Sequence, residues 1–176
     1  MTICNSKPSI AEIKALAEQG DAEAQYKLGY VFFSDESEEL AGENAEISMH
    51  WFRKAAMQGH PKGMWRVAGS YEGRDDEQAV ILYRKSAEAG CSVAQWWLGV
   101  KYLNGYGIKQ DKQQALHWLQ KAAEQDEESA CEKLGLLYER GECVEQDWQQ
   151  SAYWYSKAAH NFGEKLRKYR NGEYPL

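Results

Sequence analysis

Four histidines, four cysteines and a run of carboxylates are the side chains of this 176-residue chain that could do chemistry. A metal held by a helix needs His-x-x-x-His or Glu-x-x-His, which put two ligands on one face. Neither spacing occurs. His50 and His117 stand one residue ahead of Trp51 and Trp118, where two comparable segments carry Ile81 and Tyr153. A position that accepts Ile and Tyr is structural. His60 falls in a turn and His160 on the last helix expected. Gly105-Tyr106-Gly107 lacks the third glycine of a dinucleotide loop and follows a helix instead of a strand. A Gly-x-Ser-x-Gly elbow and a phosphate-binding Gly-Lys-Ser/Thr are both missing.

The carboxylates give no more. Asp35, Glu36, Glu38 and Glu39 lack the alternating ligands and central glycine of a calcium loop, so they read as a solvated insertion or a contact for a basic partner. Asp126, Glu127 and Glu128 precede a helix start, where negative charge complements the dipole. No catalytic residue, no metal site and no cofactor is expected. Cys131 and Cys143 lie 12 residues apart. As helix that is ~18 Å, well beyond the ~7 Å limit between bridged Cα atoms. Cys4 sits in the tail, Cys91 in a turn, and no Cys-x-x-Cys occurs, so all four thiols are expected to be reduced.

The elements behind these residues repeat. The segments WFRKAAM (51–57), LYRKSAE (82–88), WLQKAAE (118–124) and WYSKAAH (154–160) align on Lys54, Lys85, Lys121 and Lys157, in steps of 31, 36 and 36 residues. Between them lies a second motif, small-x-x-x-apolar-small-x-x-aromatic. Its copies are Ala24/Leu28/Gly29/Phe32, Gly63/Val67/Ala68/Tyr71, Ala94/Leu98/Gly99/Tyr102 and Ala130/Leu134/Gly135/Tyr138. From each lysine to the next small residue the gap is always 9, whereas from small residue to lysine it is 30, 22, 27 and 27. One connection is geometrically set; the other is a solvent loop where insertions cost little.

Both motifs have helical spacing, so each repeat pairs a helix A with a helix B. Gly29, Gly99 and Gly135 recur inside helix A despite a cost of ~1 kcal/mol each, which implies close packing by a neighbour. Gly20, Gly59, Gly90 and Asp126 mark the set turn as left-handed caps. In the last copy Phe162 takes that place with Gly163 following, so its turn should differ. Pro61 suits the first position of a helix. The expected organisation is a single solenoid domain over 1–176. It comprises a capping helix at 9–19, repeats at 20–59, 60–90, 91–126 and 127–162, and a C-terminal capping helix and tail at 163–176, about ten helices in all.

These residues resemble the Sel-1-like repeat family, a relative of tetratricopeptide repeats. The third copy carries the pattern most fully: Ala94, Leu98, Gly99, Tyr102, Gly105, Gly107, Asp111, Ala115, Trp118, Lys121, Ala122 and Ala123. The fourth follows with Gly141, Asp147, Trp154, Lys157, Ala158 and Ala159, Cys143 replacing the second loop glycine; in the second, Ala68 and Leu82 replace the usual glycine and aromatic. The resemblance implies an all-α fold, a right-handed α/α superhelix of helix-turn-helix units with A helices along its concave side. It also implies an adaptor or scaffold role without catalysis.

On helix A the core stripe takes positions 0, 1, 4, 5 and 8 from the small residue, so positions 2, 6 and 9 face away from it, toward the groove. Position 2 reads Tyr26, Trp65, Trp96, Glu132; position 6 reads Tyr30, Gly69, Val100, Leu136; position 9 reads Phe33, Glu72, Leu103, Glu139. Tyr26, Tyr30, Trp65, Trp96, Val100, Leu103, Glu132, Leu136 and Glu139 are the candidate contacts, rich in the aromatics that anchor interfaces. The alternative is that they pack between helices or form a self-association surface.

Net charge is -6 and mean hydropathy -0.73. That balance argues against nucleic acid. The basic run Lys165, Arg167, Lys168, Arg170 reads as the solvated face of a last helix. No apolar stretch reaches the ~18 residues that span a membrane, and Met1 to Ser9 does not resemble a secretory signal. A cytoplasmic address and a protein or peptide partner are expected. Alternative roles are a bacterial immunity-type inhibitor of a basic toxin and a regulator acting through homodimerisation. Thiol titration of the unfolded, unreduced protein should find all four cysteines; a count of two or none would mean disulfides.

Overall fold

The computed structural model describes residues 8–34 and 41–170, all helix and connection without a strand among them. Cys4, Asp35, Glu36, Glu38, Glu39 and the side chains of Lys165, Arg167, Lys168 and Arg170 lie outside the described residues. The helices are α1 (Ile10–Glu18), α2 (Ala22–Ser34), α3 (Ala41–Met57), α4 (Pro61–Gly69), α5 (Asp76–Glu88), α6 (Ser92–Asn104), α7 (Lys112–Glu124), α8 (Glu128–Arg140) and α9 (Trp148–Arg170). Helices α2, α4, α6 and α8 are the A helices. Where one domain is expected, the chain divides into two compact units, one reaching Val67 and one beginning at Ala68.

The set turn is the same structure four times. Gly20, Gly59, Gly90 and Asp126 have φ of 101°, 80°, 90° and 61°. Asp126 is a non-glycine residue in the left-handed region, where Asp pays less than most residues. The next amide bonds back across the turn: Asp21 N to Leu16 O, His60 N to Ala55 O, Cys91 N to Ser86 O and Glu127 N to Ala122 O, each 3.1 Å. This six-residue closure satisfies carbonyls that a helix end leaves open. One inserted residue would break it.

Position 1 of helix A adds a second lock. The Gln25 amide is buried and donates to Ala17 O at 3.1 Å, while Gln58 donates to its oxygen at 2.8 Å. Gln95 repeats this, donating to Ala87 O at 3.1 Å and accepting from Gln125 at 2.7 Å. In the last copy the buried Cys131 Sγ points at Ala123 O, 3.9 Å away. Lys157 Nζ joins it there, donating to Ala123 O at 2.6 Å and pairing with Asp126 at 3.1 Å.

Positions 0, 1, 4 and 5 are buried in every A helix. At position 5 the glycines meet a B-helix side chain directly. A Cβ on Gly29 would lie 2.7 Å from the Phe52 ring, on Gly99 2.8 Å from Leu119 Cγ, and on Gly135 2.9 Å from the Tyr155 ring. The repeated lysine also has a partner. Lys54, Lys121 and Lys157 lie 4.5, 5.0 and 5.7 Å over Trp51, Trp118 and Trp154 three residues earlier.

The variable loop of the last two copies keeps one geometry. Gly105 and Gly107 have φ of 74° and 70°, and Gly141 and Cys143 have 67° and 70°, so the cysteine retains its glycine's conformation. Asp111 and Asp147 then cap the next helices by accepting two backbone amides each, at 2.9–3.0 Å.

One expectation fails. Helix α9 runs unbroken from Trp148 to Arg170, so nine helices are present among the described residues and no tenth begins after residue 163. The turn glycine is replaced by Phe162, and Gly163 stays out of the left-handed region, so nothing stops the helix.

Two glycine types should respond oppositely. Gly99→Leu and Gly135→Leu should each lose ~1–3 kcal/mol or more in urea unfolding through overpacking. Gly163→Ala, with nothing within 4 Å of its Cβ, should gain ~0.5–1 kcal/mol from helix propensity. A rise for the first pair would refute close packing.

Candidate protein-binding site

The outward registers of the A helices form a separate face in each unit. In the unit beginning at Ala68, Trp96 and Val100 of α6, Ser129, Glu132, Lys133 and Leu136 of α8, and Tyr155 of α9 line an open groove of about 540 Å³. Four of the nine sequence candidates meet here. Trp96 lies 4.6 Å from the Trp97 ring, and with Leu103 it packs against the buried cluster of Leu119, Ala130 and Leu134. Trp96 thus lines the groove and packs on the core. Glu139 comes to this face through Tyr155, whose hydroxyl donates to Glu139 Oε2 at 2.8 Å. Burial and the Glu139 carboxylate hold the Tyr155 phenol above its ordinary range.

Tyr155 was not among the candidates because it lies on a B helix. Its register is that of Phe52, Tyr83 and Leu119, which are fully buried in their own copies. Tyr155 is 37% exposed and forms a wall instead.

In the unit reaching Val67, Tyr30 and Trp65 assemble around a residue that the outward registers pass over, with Tyr26 beside Tyr30. The Arg66 guanidinium lies over Phe33 and Trp65 at 4.3 Å and over Tyr30 and Phe52 at 5.6 Å. Tyr26 stands 6.5 Å from Tyr30 and stacks on His60 at 5.0 Å. His60 Nδ1 accepts from Gly63 N at 3.1 Å, which puts the ring proton on Nε2, facing Glu23 Oε2 at 2.8 Å. This turn histidine therefore starts α4 and orients Tyr26. The signal for Arg66 was present at position 3, which reads Lys27, Arg66, Trp97 and Lys133.

His50 and His117 are exposed and stand edge-on to the following tryptophans, at 5.4 and 5.2 Å. Among the described residues no group of His, Cys, Asp and Glu is placed to hold a metal. No helix there is long and apolar enough to cross a membrane. Cys91, Cys131 and Cys143 are free thiols, and burial raises the last two above the ordinary range.

A charge cluster around a buried lysine was also missed. Lys101, 5% exposed, donates to Asp76 Oδ1 at 2.9 Å, and Glu72 Oε1 lies 3.2 Å from it. Burial draws the ammonium down, but the Asp76 and Glu72 contacts outweigh it and leave it raised. The Lys101 hydrogen bond holds Asp76 below the usual carboxylate range. Nearby, burial and the Glu72 charge push the Tyr83 phenol far up. A lysine held this firmly protonated is neither base nor nucleophile. The cluster joins α6 to the start of α5 where Gly107 touches the Asp76 backbone, which leaves no room for a Cβ.

The Sel1 repeat profile matches residues 22–60, 61–91, 92–127 and 128–161. The crystal structure of a protective antigen of uropathogenic Escherichia coli with an SLR fold superposes with TM-score 0.71 at 35% identity, covering 94% of this chain and 37% of the antigen. An uncharacterised protein of Neisseria meningitidis is 35% identical over 101 residues, 56% of this chain and 20% of that protein. This chain thus spans well under half the length of either. An immunity protein of Pseudomonas aeruginosa superposes with TM-score 0.55 at 14% identity, covering 86% of this chain and 73% of that one, a likeness of fold alone.

Lys101→Met should lower the melting temperature at pH 7 by about 4–8 °C. Asp76, held low, contributes above the ordinary carboxylate range and loses its contribution as pH falls through its lowered value. The gap between wild type and variant should therefore narrow in acid, measured by thermal melts from pH 7 to 2. A gap that is constant across that range would remove the ion pair as its cause.

Proposed function

The chain belongs to the Sel1 repeat family, and we propose that it is a non-catalytic adaptor that holds a peptide or protein segment on the outward registers of its A helices. Sel1 repeats generally mediate protein–protein interaction. The observation that carries the reading here is the groove of Trp96, Val100, Leu136 and Tyr155. Trp96 and Tyr155 also pack inward, on the buried cluster and against Gly135, but a face touching only water would have no use for Val100 and Leu136 beside them. Glu132 and Lys133 at its edge give the polar rim that fixes register. The groove is open and shallow, suited to a segment of chain more than to a small molecule.

A toxin inhibitor and a homodimeric regulator remain the other two roles weighed. The first rests on the net charge of -6; the second rests on the apolar face itself.

Leu136→Lys keeps a good helix former at a half-buried position. It should weaken retention of the native-host partner by ~2 kcal/mol, about thirtyfold, while the melting temperature moves by only a few degrees. Trp96→Ala should lose both partner and stability, because its ring also packs on the core. Undiminished retention by Leu136→Lys would sink the groove reading.

A further inference from the structure

Arg66 is built as a receptor for a charge that the described residues do not supply. Its guanidinium lies over the faces of Phe33 and Trp65, each at 4.3 Å. Stacking of this kind uses the faces of the planar cation and leaves the N–H groups in its plane to other partners. No carboxylate pairs with Arg66 among the described residues. Its Nε is cut off from water and has no hydrogen-bond acceptor among the described residues. A donor left in that state is costly, and it calls for an explanation.

The surroundings say what would satisfy it. Lys62, one turn earlier on α4, is exposed, lies 5.8 Å over the Tyr26 ring and has no ion pair among the described residues. Glu23, a carboxylate beside Tyr26 and His60, is already engaged by Lys27 at 3.3 Å and by His60 at 2.8 Å. Two cations with no ion pair among the described residues, backed by Tyr26, Tyr30, Phe33 and Trp65, therefore stand on a chain whose net charge is -6. Counterions for such a pair are carboxylates, and the rings beside them accept apolar side chains.

We propose that this face binds an acidic segment of a partner protein, in which an Asp or Glu carboxylate takes the Arg66 fork and a neighbouring apolar side chain lies against Trp65 and Phe33. The proposal rests on the adaptor reading and adds the partner's chemistry. A forked guanidinium–carboxylate pair shielded by aromatic rings is the strong form of this contact. Net acidity repels nucleic acid from the same surface.

The test uses a synthetic peptide of alternating Glu and Leu, acetylated and amidated, and its counterpart with Gln for Glu, titrated into the 15N-labelled full chain. The Arg66 Nε–Hε and Trp65 indole signals should move with the Glu peptide, and far less with the Gln peptide. Arg66→Gln should weaken binding by about tenfold or more and Lys62→Gln by severalfold, with helicity kept. Equal shifts from the Gln peptide, from inorganic phosphate or from short duplex DNA would overturn the proposal, as would a still Arg66 signal in the wild type, which needs no variant to fold. If Arg66 stays still while Leu136→Lys still loses the native partner, the acidic-segment inference falls and the adaptor reading stands. If Arg66 responds while Leu136→Lys keeps its partner, the groove reading falls and this one stands.

Discussion

The structure depends on one left-handed residue after each complete B helix up to Asp126. With φ between 61° and 101° at Gly20, Gly59, Gly90 and Asp126, the chain reverses in a single step and the following amide closes back on the helix it has just left. That closure sets the exit angle, and the exit angle decides which side chains of the next helix meet the preceding one. Gln25 and Gln95 then reach back across the same turn to a carbonyl of the earlier helix. A buried amide of this kind is tolerable only when both ends are satisfied. The nine-residue gap is thus a consequence of hydrogen-bond accounting: a longer turn would leave the closing amide and the glutamine without partners.

With the turn fixed, the A helix has little freedom about which face it buries. Positions 0, 1, 4 and 5 go inward in all four copies, and the glycine at position 5 records how near the B helix comes. Phe52, Leu119 and Tyr155 occupy the space that a Cβ would need. In the second copy, alanine serves at this position. The repeated Trp-x-x-Lys pairs have a similar local origin: the ring sits against the helix and the lysine covers it with its ammonium. Where Leu82 replaces the tryptophan, this ring contact is not available to Lys85.

Much of this was legible in the sequence because it rests on short-range periodicity. Helix spacing, buried registers, turn residues and close-packed glycines all follow from distances of three to nine residues. The continuity of α9 was harder to foresee. Phe162 signalled an altered turn, but the absence of a stop signal looks the same as a different stop signal until the backbone is seen. Lys101 with Glu72 and Asp76 was invisible for another reason. Lys101 lies 25 and 29 residues from its two partners, and the three come from a loop, a helix start and a helix interior. Arg66 was overlooked because position 3 lies between the inward and outward stripes, where a long side chain can swing to either side. A register rule assigns Cβ direction; it does not say where a guanidinium five bonds further out comes to rest.

The same reasoning says where these repeats are free to differ. Residues that close the turn or fill position 5 are held by backbone geometry, so copies agree there. Positions 2, 3, 6 and 9 answer to no such constraint, and they diverge: Tyr26, Trp65, Trp96 and Glu132 share one register, as do Lys27, Arg66, Trp97 and Lys133. That divergence gives each unit its own chemistry on a shared scaffold. One presents Arg66 among aromatic rings; the other presents Trp96, Leu136 and Tyr155 with Glu132 and Lys133 beside them. Within either unit, a segment that did not match its face would leave the guanidinium or the groove unsatisfied, so divergence at these registers is what lets one scaffold discriminate between partners.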